Sequence, residues 1–305
     1  MTGIVPNLGR DKVSLGVTPT LWWNDDFPLI DIGIPFEQCV SEMALAGFQG
    51  CSIGHKFPTD PAVLKEALDL RDLKVSEPWV STYFTIGEGV RTVENFKRQL
   101  HFLENVDGKD IVVAEFGQSS HLQPIPVFDH RPTFTDDEWD LLTGGLDEIG
   151  RLAADKGMRL CYHHHMGTGV QTAKDIDRLM AGTDENLVHL LLDTGHLQFA
   201  GDNPLRTAEE HSRRIKHVHL KNIRQAVVDK VKSDRLSFQE AIEQGAFTVP
   251  GDTEGAIDFK PILSVLGETG YEGWLVVEAE QDPAKACPLK YAKMARTYLT
   301  GVLGW

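Results

Sequence analysis

Cysteine is scarce in this chain of 305 residues: Cys39, Cys51, Cys161 and Cys287 stand far apart. No Cys-x-x-Cys pair occurs, so a thiolate zinc knuckle is excluded, and the spacing outlines no disulfide framework. Buried thiols in a reducing compartment are the expectation. Long apolar runs are missing too. No stretch approaches the roughly 18 residues of a membrane span, and the opening "MTGIVPNLGRDK" has no apolar signal-peptide core. Positive charge is in deficit, with 30 Lys and Arg against 45 Asp and Glu, a net charge of −15. Binding nucleic acid by phosphate neutralisation needs clustered Lys and Arg, so that class is disfavoured. A soluble cytoplasmic protein with neither membrane nor nucleic-acid partners is expected, and a neutral sugar or polyol stays open as its ligand.

Two nucleotide-binding signatures are absent as well. No Gly-x-Gly-x-x-Gly follows the first candidate strand, and no Gly-x-x-x-x-Gly-Lys loop is found. What the chain does have is alternation. Short runs rich in Val, Ile and Leu predict eight strands, at 12–19, 47–53, 73–80, 109–117, 158–164, 187–193, 215–220 and 272–280. Amphipathic segments lie between them: Phe36, Val40, Met43 and Gly47 share a helical face, as do Val93, Phe96, Leu100 and Leu103. Leu142, Leu146, Ile149 and Ala153 repeat the pattern, and so do Phe259, Ile262, Leu263 and Leu266. Glycine ends several of these helices, in "ALAGFQG", "ADKGMRL" and "GETGYEG", where a left-handed cap is needed. Eight such units predict one (β/α)8 TIM barrel domain over 1–305, with an extended loop region at about 221–257 that holds one short helix, "SFQEAIEQG". A doubly wound open sheet is the runner-up.

In a (β/α)8 barrel the reacting groups sit at the carboxyl ends of the strands. Here the fifth strand ends in His163, His164 and His165, and the sixth in Asp193 with His196 close behind. The seventh carries His217, His219 and Lys221, and the eighth Glu278 and Glu280. Strand alternation puts His163 with His165, His217 with His219 and Lys221, and Glu278 with Glu280. Any one of these alone reads as a satisfied structural residue. Four adjacent strands ending in His, Asp, His and Glu are better explained by a divalent cation, and mixed imidazole and carboxylate donors suit Mn, Co, Fe or Zn. His164 and His217 are expected to point away from the centre. Among the early strands, Trp23, Asn24 and Asp25 in "WNDD" offer an indole face and hydroxyl-binding groups to a ring-shaped ligand. Lys56, Glu115 and Arg224 are further candidates for substrate binding. The C-terminal "YAKMARTYLTGVLGW" offers an apolar helical surface on which copies of the chain could associate.

The order Asp193, His196, His219, Glu278 resembles the xylose isomerase-like barrel superfamily of sugar isomerases, epimerases and dehydratases. Within it, "WNDD", "YHHHMGTGVQT", "LLLDTGH", "HVHLKN" and "WLVVEAEQDP" are similar to the myo-inosose-2 dehydratase family of inositol catabolism. The likeness spans nearly the whole chain, and His-His-His-Met-Gly-Thr-Gly is its most specific part. It implies Asp193, His219 and Glu278 as ligands of a divalent metal, Mn(II) or Co(II), with a glutathione dependence for which no motif is visible. The superfamily's usual Glu on strand five is replaced by His163, which is expected to take over as fourth ligand; the alternatives are a metal with one protein ligand fewer, or help from Glu115 on the neighbouring strand. Two-carboxylate epimerisation is then less well served than dehydration of a cyclic polyol ketone. His165, His196, Lys221 and Glu280 are expected to transfer protons and bind substrate. The rivals are a metal-dependent ketose isomerase or epimerase on the same barrel, a DNA-repair endonuclease that the charge disfavours, and a non-catalytic sugar-binding protein.

Overall fold

The computed structural model describes residues 4–305, so the first three residues of the expected 1–305 domain, and of the opening stretch read for a signal peptide, lie outside the described residues. The strands in chain order are β1 (Val13–Val17), β2 (Gly50–Cys51), β3 (Lys74–Val75), β4 (Trp79–Thr82), β5 (Asp110–Glu115) and β6 (Arg159–His163). They continue with β7 (Val188–Asp193), β8 (Ile215–Leu220), β9 (Asn222–Ile223), β10 (Phe247–Thr248) and β11 (Gly273–Val277). Nine of them form one sheet in the order β3-β2-β1-β11-β8-β7-β6-β5-β4, and its pairings are parallel. Its two ends, β3 and β4, belong to one run of chain, the strand expected over 73–80. The sheet therefore closes through that run into a (β/α)8 barrel. The run breaks at Ser76-Glu77-Pro78 because proline has no N–H to donate to a ladder. On one side of the break β3 pairs with β2; on the other β4 pairs with β5.

The helical faces read from the sequence are the buried ones. Phe36, Val40 and Met43 lie under helix Phe36–Ala46, and Gly47 caps it at φ 90°. Leu142, Leu146, Ile149 and Ala153 are buried on helix Asp136–Ala154, whose start is fixed by reciprocal bonds between Thr135 and Glu138. Inside the barrel, Gly50 leaves room for the Trp274 indole: a Cβ on it would stand 2.5 Å from that ring. Trp274 thus occupies space that a larger β2 residue would claim.

Three expectations change here. The C-terminal helix Pro288–Leu303 buries Ala292, Ala295, Leu299, Val302 and Leu303, and it packs against helix Phe36–Ala46. Its apolar face is used within the chain and is not free for association. The expected loop region 221–257 has the short helix read from "SFQEAIEQG", at Phe238–Glu243, but also a second helix, Gln225–Ser233, and an antiparallel ribbon of β9 with β10. Among the thiols, Cys39, Cys51 and Cys161 are buried as expected, but Cys287 is exposed. Among the described residues no helix is long and apolar enough to cross a membrane.

Candidate metal centre and active site

The carboxyl ends of β6, β7, β8 and β11 meet at one place because their register brings them there. Asp193 on β7 pairs with His219 on β8, and His219 pairs with Val276 on β11, two residues before Glu278. A register shift between Leu190 and Leu191 sets the β7–β8 alignment. His163, Asp193, His219 and Glu278 each present one donor atom, all four within 4.8 Å of one another and all buried. His163 Nε2 is 3.2 Å from Asp193 Oδ2, and His219 Nδ1 is 2.6 Å from Glu278 Oε2. The Asp193 carboxylate is further held by the amide of His196, which donates to Oδ1 at 2.7 Å. Burial opposes ionisation of Asp193, but Lys221 and the surrounding imidazoles hold its carboxyl well below the usual range. Two imidazoles and two carboxylates, buried and convergent, make a donor set that fits a transition-series divalent cation.

Beside this cluster lies a buried lysine. Burial alone would pull the Lys221 ammonium down, yet Asp193, Glu278 and Glu280 hold it above its ordinary range. Its Nζ is 2.7 Å from Glu280 Oε2, 3.1 Å from Glu278 Oε2 and 3.5 Å from Asp193 Oδ2, and it donates to His196 Nε2 at 2.8 Å. Glu280 differs from the other acids. Burial and the neighbouring Glu278 push its carboxyl up to about 7, against the pull of Lys221. His165 Nδ1 donates to the Met166 carbonyl at 2.8 Å, which leaves Nε2 facing Glu280 Oε1 at 3.9 Å. Burial keeps both His165 and His196 neutral, well below the usual histidine range.

A cavity of about 140 Å³ opens above these groups, lined by His163, His165, His219, Glu77, Glu278 and Glu280 on its floor. Trp79 and Phe116 give it an apolar wall, and Thr18, Thr20, Asn24, Asp25, Asp26 and Ser52 a polar one. An apolar cavity of about 150 Å³ holds benzene, so a cavity of this volume that is also open on one side admits a single ring with its substituents toward the opening. Hydroxyls on that ring would meet the polar wall.

A family profile described as xylose isomerase-like TIM barrel matches residues 40–297. An inosose dehydratase of Geobacillus thermodenitrificans is 52% identical over 97% of this chain and 99% of its own length. One from Clostridium botulinum is 51% identical over 95% of this chain and 97% of its own. The chain belongs to the inosose dehydratase family. Solved structures agree on the fold: a probable 3-DHS dehydratase, AsbF, of Bacillus anthracis superposes with a TM-score of 0.71 at 16% identity, covering 94% of this chain and 98% of its own. The IOLI protein, solved with a zinc atom, gives 0.71 at 16% identity over 95% of this chain and 98% of its own.

Against that family background the expected site residues sort into three groups. His163, Asp193, His219 and Glu278 come together as one cluster, and His165, His196, Lys221 and Glu280 lie together beside it. Asn24 and Asp25 line the cavity, although the Asn24 side-chain oxygen already accepts the amides of Asp26 and Phe27. Four others are spent elsewhere. Trp23 is fully buried against His55 and Phe57. Lys56 pairs with Asp31 at 2.5 Å and stacks over Trp23. Glu115 accepts the amides of Phe84, Thr85 and Gly117 and the hydroxyls of Thr82 and Thr85, so it cannot help at the metal. Arg224 clamps the 221–257 region through Asp252, Glu254 and the Gly245 carbonyl. His164 accepts the Asp193 amide, a supporting role. His217, expected to point outward, lies inside the barrel beneath His219, where alternation along β8 keeps the two on one face.

Residues the sequence did not flag are Glu77, Trp79, Phe116 and the hydroxyls of Thr18, Thr20 and Ser52. Glu77 left one signal, an acid immediately before proline inside an apolar strand. The ring wall expected from Trp23 is supplied by Trp79 and Phe116 instead.

Proposed function

We propose that this chain is a hydro-lyase of myo-inositol catabolism that removes water from 2-keto-myo-inositol (scyllo-inosose) and yields a trihydroxycyclohexane-1,2-dione. The observation that carries this reading is the buried His163–Asp193–His219–Glu278 cluster, placed directly under a one-ring cavity beside Lys221 and Glu280. Those four residues would hold a divalent cation, Mn(II) or Co(II), which when bound supplies Lewis-acid stabilisation of the charge that develops on the ketone oxygen. The barrel is proposed as one domain over 1–305, acting in the cytoplasm, where its four free thiols are at home.

The chain's own groups divide the remaining work. A proton leaves the hydroxyl-bearing carbon next to the ketone, and its electron pair is delocalised onto the ketone oxygen as an enolate; as that carbonyl re-forms, the pair becomes the double bond to the next carbon, whose hydroxyl departs. That hydroxyl takes up a proton and leaves as water, and the resulting enol tautomerises to the dione. Glu280 and His165 are the proton-transfer groups that reach the cavity, whereas Lys221 and His196 stand behind them. A carboxyl near 7 can accept a proton and return it within one turnover, the property that general acid–base work asks for. Lys221 holds Glu280 in place and adds positive charge where the enolate forms. Asn24, Asp25 and the Trp79–Phe116 wall bind the ring's hydroxyls and face.

Metal-stripped protein incubated with 2-keto-myo-inositol, with and without Mn(II) or Co(II) and with glutathione in a separate arm, tests the reading. Metal-dependent loss of one water by mass, with rising ultraviolet absorbance of the enolised dione, is expected. Unchanged mass with deuterium taken up from solvent would replace dehydration by isomerisation or epimerisation, and turnover unaffected by metal removal would remove the cluster from the mechanism.

A further inference from the structure

Glu77 sits where the third barrel strand breaks, one residue before Pro78, and the break turns its side chain into the barrel. It is 3% exposed and lines the cavity floor. Its two oxygens face two histidines: His219 Nε2 donates to Oε1 at 3.3 Å, and His217 Nε2 lies 3.3 Å from Oε2. Below that, His217 Nδ1 meets Asp110 Oδ2 at 2.9 Å, and Asp110 takes a two-pronged contact from Arg159, at 2.6 and 2.9 Å. Arg159 keeps 31% of its side chain exposed, at the amino end of β6. A continuous file of alternating charge-bearing groups therefore runs through the barrel, from the partly exposed Arg159 up to a member of the metal cluster.

An imidazole bound to a metal through one nitrogen is oriented by what its other N–H donates to. In His219 the nitrogen near Asp193 and Glu278 is Nδ1, at 3.7 and 2.6 Å. We propose that Glu77 is a positioning residue of the metal centre: it holds the Nε2–H of His219, fixes the ring plane, and leaves Nδ1 as the nitrogen that faces the cation. On its other side the Glu77 carboxylate faces His217, which Asp110 and Arg159 hold in turn. This rests on reading the four-residue cluster as a metal site.

The test uses full-length, metal-stripped protein titrated with Co(II), read by calorimetry and by the visible spectrum of the bound ion, which reports coordination geometry without any turnover. Glu77→Gln keeps an oxygen that accepts the Nε2–H and should weaken Co(II) binding about tenfold; Glu77→Leu removes the acceptor and should weaken it about 100-fold, with an altered spectrum. Wild-type affinity and an unchanged spectrum in Glu77→Gln and Glu77→Leu would overturn the proposal while leaving the metal centre standing. Complete loss of binding in Glu77→Gln would also overturn it, since Glu77 would then be a ligand itself. A wild-type protein that binds no Co(II) would overturn the metal reading, and this proposal with it. If Glu77→Leu fails to fold, the Gln variant still decides.

Discussion

Lys221 is the residue on which the site's electrostatics turn. Its ammonium is fully buried among Asp193, Glu278 and Glu280. Removing one partner of a buried charge network leaves the others uncompensated, which costs about 3–5 kcal/mol. Lys221→Met should therefore destabilise the metal-free protein by about that much, read from urea unfolding midpoints, and lower kcat by about 10²–10³-fold through lost stabilisation of the enolate. A Met variant as stable as wild type would show that the carboxylates are neutralised some other way. Lys221 and the seven residues gathered around it were legible in the sequence as one group because residue type and position at a strand end together select them. Glu115 had the same signature and failed. What claims its oxygens is a set of amides and hydroxyls from Thr82 to Gly117, whose approach depends on loop geometry that no strand pattern encodes. Glu77 was hidden for the opposite reason, since it sits in the interior of what reads as a continuous apolar strand.

At the scale of elements, the short helix Thr194–Ala200 shows how backbone packing sets the chemistry. Asp193 caps it by accepting the His196 amide, and Gly195 lets it lie against the stem of Lys221. A Cβ at position 195 would stand 2.4 Å from Lys221 Cγ. The stem cannot swing aside, because its ammonium is tied to Glu280 and His196. Gly195→Ala should cost about 1–3 kcal/mol by overpacking and should lower kcat as the ammonium shifts. Gly144→Ala is the paired control: nothing lies within 4 Å of its added Cβ in helix Asp136–Ala154, so a gain of about 0.5–1 kcal/mol is expected. Thermal midpoints and kcat for the two variants check both. Equal effects at the two positions would refute the packing argument. Helix faces and glycine caps were readable because their period is local. In the 221–257 region only the short helix Phe238–Glu243 was. There, β9 pairs with β10 across more than twenty residues, bringing Phe247 to 5.3 Å from the His196 ring and beneath Lys221, a pairing without any local pattern.

The whole molecule divides its labour between the two ends of the barrel. The carboxyl ends of the strands hold the chemistry; the amino ends hold groups that govern stability, His189 on β7 among them. Burial, with Arg159, Lys216 and Arg214 nearby, pushes the His189 imidazole down to about 4, against about 6.5 in an unfolded chain. Between those values the unfolded chain binds a proton that the folded protein refuses. Stability is therefore unaffected by this group above about pH 6.5 and falls as the pH drops from there toward 4. His189→Gln removes that titration. Its unfolding at pH 5 should take up about one proton fewer than wild type does, so its urea midpoint should decline less between pH 7 and 5. Activity at pH 7 should be unchanged, because His189 lies outside the cavity that holds Glu280 and His165. Parallel decline in the two proteins would mean that the imidazole is already charged in the folded state and that the acid sensitivity of this chain arises from other groups.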